Sequence, residues 1–141
     1  MKEIFISTFL GFLSALLVEY LVKRFEVKFL LNSILSGIRL ELQNIKVKLN
    51  TLDNEMYYVD PLDISYWKSI SDTQNLNCLL THPLYGKIVA VYQYIETINR
   101  WEYIRSSSYF INSSPNSDLN SALTVQRREL KKEVDALLNN F

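Results

Sequence analysis

The sequence predicts an all-α protein with one amino-terminal transmembrane helix followed by a small cytoplasmic antiparallel helical bundle. Three observations predict it. The 19 residues from Ile4 to Val22 carry a single charge, Glu19. From Leu31 the apolar positions Leu31, Leu35, Ile38, Leu42, Ile45, Leu49 and Leu52 step by four and three for three heptads, the seam of a coiled coil or bundle helix. No stretch alternates convincingly at period two, and three Gly and three Pro are too few for a turn-rich β-sandwich.

The whole chain has 141 residues, enough for one domain or one small domain with an appendage. Fifteen basic and fifteen acidic side chains argue against an electrostatic binder of bulk nucleic acid. One Cys excludes an intramolecular disulfide framework, and one His excludes a multi-histidine metal site. No cofactor fingerprint is found, so no cofactor and no metal is expected. The division expected is 1–27 for anchor and basic junction, and 28–141 for the bundle.

The elements follow in order. At 1.5 Å per residue the apolar run covers about 28 Å, the hydrocarbon thickness of a bilayer. A cleaved signal would have a shorter apolar core and small residues before the cut. Cutting after Ala15 would place Leu13 at the far position and leave apolar residues beyond, so the anchor is expected to stay. Lys23, Arg24 and Lys28 follow the run, while Lys2 and the terminal amine precede it. The positive-inside rule then gives a single-pass inner-membrane protein with a cytoplasmic carboxyl-terminal domain. Within the span, Ser7, Gly11, Ala15 and Glu19 recur every four residues. They fit a close self-association seam, or, for Glu19, a snorkelling pair with Lys23.

Phe25 to Lys28 can continue this helix into the next without a Gly or Pro, and Gly37 is the one soft spot. Asp53-Asn54 is expected to end it, with Met56–Val59 as an aromatic connector. Asp60-Pro61 reads as an N-cap and first helical residue of a short helix carrying Ile64, Trp67 and Ile70. Ser71–Asn77 reads as a loop. A helix from about Thr81-His82-Pro83 to Arg105 carries Leu84, Tyr85, Ile88, Val89, Tyr92, Ile95, Ile98 and Trp101. Ser106–Asn116 reads as a second loop. Ser117 or Asp118 then caps a last helix carrying Leu119, Leu123, Leu130, Val134 and Leu137.

Chemistry is scarce, and an enzyme is not expected. Cys78 and His82 stand one helical turn apart, but a structural Cys and a capping His explain them. Two groups could hold an anionic or nucleotide ligand. Arg127, Arg128, Lys131 and Lys132 form adjacent i,i+4 strips, and Arg100 and Arg105 flank Trp101, where an aromatic face could stack a base. A solvated helix face and ordinary packing are the competing explanations.

The chain resembles small bacterial single-span membrane proteins on four segments. These are Ile38-Arg39-Leu40-Glu41-Leu42-Gln43-Asn44, Pro61 to Trp67, Leu76 to Pro83, and Ile95-Glu96-Thr97-Ile98-Asn99. Thr81-His82-Pro83 stands where such proteins carry Leu-Asp-Pro. Its architecture is also similar to membrane-anchored antiviral effectors, including type III CRISPR ancillary proteins. That resemblance implies a homo-oligomer whose cytoplasmic domain binds a cyclic oligonucleotide and perturbs the membrane. The alternative expectation is a non-catalytic tethered scaffold that docks a protein partner.

Overall fold

In a computed structural model, which describes residues 2–51, 60–73, 75–112 and 117–141, most of the described residues are helical and none lies in a strand. The helices are α1 (Lys2–Thr51), α2 (Ser65–Ser71), α3 (Leu76–Leu79), α4 (Tyr85–Asn112) and α5 (Ser117–Leu138). The chain divides into two compact units, Met1–Ile34 and Leu35–Phe141. Helix α1 is unbroken through the division, as the lack of Gly or Pro between Phe25 and Lys28 suggests.

The first unit is the amino-terminal part of α1. It is long and apolar enough to cross a membrane, and none of its apolar window is buried. Phe12, Leu17 and Phe25 are 61%, 60% and 70% exposed. Ser14 returns its hydroxyl to the Gly11 carbonyl at 2.8 Å, satisfying itself within the helix.

The second unit has a continuous core. From α1 it receives Ile38, Leu42, Ile45 and Leu49, the seam read from the sequence. Helix α4 adds Ile88, Val91, Tyr92, Ile95 and Ile98, and α5 adds Leu123, Leu130, Val134 and Leu137. Helices α4 and α5 run in opposite directions, with Arg105 near Asn120 and Tyr94 bonded to Gln126. Helix α4 instead follows the direction of the end of α1. Tyr92 meets Glu41, and Asn99 meets Leu62, whose neighbour Pro61 accepts a bond from Lys48. Lys46 ties α1 to α5 through Asp135 at 2.6 Å.

Three expectations are corrected. Pro61 does not open α2, because Leu62 is held in a non-helical segment and the helix begins only at Ser65. Part of the stretch 71–77 forms the single turn α3. Helix α4 does not stop at Arg105 but continues to Asn112. There Ser106 and Ser107 turn their hydroxyls back to the Tyr103 carbonyl at 2.9 and 2.8 Å, so the serines do not compete for the backbone as they would in a turn. Leu52, the Asp53-Asn54 stop and the Met56–Val59 connector lie outside the described residues.

Candidate functional site

The most organised polar centre of the second unit is built on Glu41. Its seam neighbours Ile38, Leu42 and Ile45 are fully buried and carry Glu41 inward, leaving it 8% exposed. A carboxylate placed there must find donors. Its Oε1 accepts the Tyr66 amide at 2.8 Å; its Oε2 accepts the Trp67 amide at 3.2 Å and the Tyr92 hydroxyl at 2.6 Å. Tyr66 and Trp67 are the second and third residues of α2, whose own N-cap, Ile64, offers no side-chain acceptor. Glu41 therefore caps α2 from another helix, matching the orphan amides and the positive end of the helix dipole with a negative charge.

Aromatic packing locks this arrangement. The Trp67 ring stacks on Tyr92 with centroids 4.6 Å apart and planes 7° from parallel. The Tyr66 ring lies on the α1 backbone at Gly37, where a methyl group would overlap it. Gly37 is thus a socket rather than the soft spot expected of it. Burial, then the bond to Glu41, pushes the Tyr92 phenol far above its ordinary pKa. Burial, then the charge of Glu41, raises that of Tyr66.

Asn99 makes a second clasp. Its side-chain amide pairs with the Leu62 backbone as a neighbouring strand would, accepting the N–H at 2.7 Å and donating to the carbonyl at 2.8 Å. The entry to α2 is fixed by Asn99 and its first turn by Glu41. On the exposed side, bonds from Ser65 hold the Asp63 carboxyl below its usual range.

The expected ligand residues are dispersed. Arg127 is 6% exposed and pairs with Glu102, itself 5% exposed. Arg105 approaches the other Glu102 oxygen at 2.9 Å, a charge contact too poorly aligned for a hydrogen bond, and contacts Asn120 at 3.4 Å. Arg127 and Arg105 thus serve an internal ion group between α4 and α5. Of the expected cationic strips, Arg128 and Lys132 remain exposed, with Lys132 bonded to Glu129 at 2.7 Å, and Lys131 is half-buried. Arg100 is exposed and Trp101 is 38% exposed, beside Tyr103 and Ile104 at 73% and 48%.

In the first unit, Ser7, Gly11, Ala15 and Glu19 are all exposed, and a methyl on Gly11 would meet nothing. Glu19 pairs with Lys23 at 2.7 Å. His82 accepts the Leu84 amide on Nδ1 at 3.2 Å, bracing the start of α4.

No family model, curated protein or solved structure matches the chain.

The residues that sequence reasoning missed had a signal. Ile34, Ile38, Glu41 and Ile45 step by four, three and four, so a carboxylate occupies an apolar position. Glu102 likewise continues Ile95 and Ile98, while Arg127 sits between Leu123 and Leu130. Opposite charges in the apolar lines of two helices announce a buried ion pair.

Proposed function

We propose that this chain is a single-span, inner-membrane protein whose helical bundle lies in the cytoplasm and acts by docking a protein partner rather than by catalysis. The observation that carries the reading is the first part of α1, an exposed apolar helix for which lipid is the fitting solvent. Lys23, Arg24 and Lys28 at its carboxyl side set the orientation. Glu41, Glu102, Asn99 and Arg127, groups of the kind that chemistry uses, are engaged in holding helices together. Trp101, Tyr103 and Ile104 offer an exposed aromatic and aliphatic stretch of α4 suited to a protein contact.

A second reading is a homo-oligomeric antiviral effector that binds a cyclic oligonucleotide and perturbs the membrane. The exposure of Arg100 next to Trp101 favours it, because a base could stack there while the guanidinium holds a phosphate.

The test begins with the full chain in bacterial membranes. It is expected to resist alkaline carbonate, and its carboxyl-terminal unit is expected to be digested in inverted vesicles but protected in right-side-out ones. Recovery in the soluble fraction would remove the membrane reading. Calorimetric titration of the detergent-solubilised chain with cyclic oligonucleotides then separates the two functions. Micromolar binding lost in Arg100→Ala favours the effector, and silence across the panel favours the scaffold.

A further inference from the structure

The segment just beyond the apolar run has a two-sided pattern that neither reading uses. Arg24 and Lys28 are one turn apart, as are Phe25 and Phe29. Taking Arg24 as the origin, Lys28 lies about 40° around the helix, Phe25 about 100° and Phe29 about 140°. A strip of two cations therefore runs directly beside a strip of two phenyl rings. Glu26, the acid of this segment, falls about 180° from the middle of the cationic strip. Phe25 and Phe29 are 70% and 78% exposed, and Arg24 and Lys28 are exposed with no ion pair among the described residues. Lys23 differs, being bonded to Glu19.

Depth makes the pattern specific. The apolar run accounts for the hydrocarbon layer, so this segment starts where acyl chains give way to headgroups. Arg24 to Lys28 rises about 6 Å, close to the thickness of one headgroup layer. Phenyl rings suit the acyl boundary at that depth, and cations suit the phosphates above it. The opposite face keeps its carboxylate away from those phosphates.

We infer that Arg24 and Lys28, flanked by Phe25 and Phe29, form a binding surface for the headgroups of anionic phospholipids. The inference rests on the proposed membrane insertion and adds a lipid preference to it. Each basic side chain at an acidic lipid surface contributes on the order of a five-fold enrichment, diminished by salt. Lys23, already paired, contributes less.

The test uses the full chain in phosphatidylcholine vesicles containing a trace of spin-labelled lipid. The motionally restricted fraction is compared for labelled phosphatidylglycerol and labelled phosphatidylcholine. The wild-type chain is expected to restrict both, with a several-fold preference for phosphatidylglycerol that shrinks in high salt. Arg24→Gln with Lys28→Gln is expected to restrict both labels equally, while Lys23→Gln keeps most of the preference. A preference undiminished in the double variant overturns the lipid site and leaves membrane insertion standing. Absence of any restricted lipid overturns both.

Discussion

Glu19 and Glu41 lie on the same helix in opposite circumstances. Glu19 sits among exposed apolar side chains and reaches one turn along to Lys23, with both groups exposed. Glu41 sits between fully buried Ile38 and Leu42 and serves two amides and a phenol from other parts of the chain. Both stretches of helix are apolar, so apolarity alone does not separate them. The separation comes from what each carboxylate must satisfy: its own charge in one place, and the open end of another helix in the other.

The largest expected effect breaks this contrast. Glu41→Ala leaves two amides and the Tyr92 hydroxyl without their acceptor, and is expected to destabilise the second unit by about 3–5 kcal/mol in chemical unfolding followed by tryptophan emission. Glu19→Ala is expected to change it by less than about 0.5 kcal/mol. Equal effects would remove the distinction. Next comes the Glu102 group: Arg127→Ala leaves the buried Glu102 carboxylate one cation short and is expected to cost about 3 kcal/mol, whereas exposed Arg128→Ala is expected to stay within about 0.5 kcal/mol. If the reverse were measured, Arg127 would be a surface residue after all.

The two glycines sharpen the comparison further. Gly37→Ala drives a methyl into the Tyr66 ring and is expected to cost about 1–3 kcal/mol, recovered in part by Tyr66→Leu. Gly11→Ala meets no atom and is expected to leave unfolding of the second unit unchanged. The smallest effect is in alkali. The raised pKa of Tyr92 and Tyr66 means that the fold favours the protonated phenols. Their contribution is fully present below the unfolded tyrosine value, about 10, and declines as pH rises above it. Tyr92→Phe is expected to flatten that decline in unfolding curves measured between pH 9 and pH 11.

Periodicity made most of the helices legible. The seam from Leu35 to Leu49 and the stripe from Leu130 to Leu137 repeat every three and four residues, which only a helix places on one side. Helix ends were harder to read. Proline at 61 suggests a start that Asn99 overrides by clasping Leu62 from 37 residues away. Serines at 106 and 107 suggested a loop, although in place they bond back into the helix. The candidate site was least legible, since a charge in an apolar line does not name the group it will meet, and Arg127 finds Glu102 only when α4 and α5 pack.

The sequence by itself determined the helical class, the lipid-length apolar run and the hydrophobic line of each long helix, because these depend on spacing along one chain. Only the tertiary structure decided which polar groups work inside. Whether Glu41, Asn99, Glu102 and Arg127 face water or a partner depends on residues distant in sequence. A buried charge is stable only where another element delivers its donors or counter-charge.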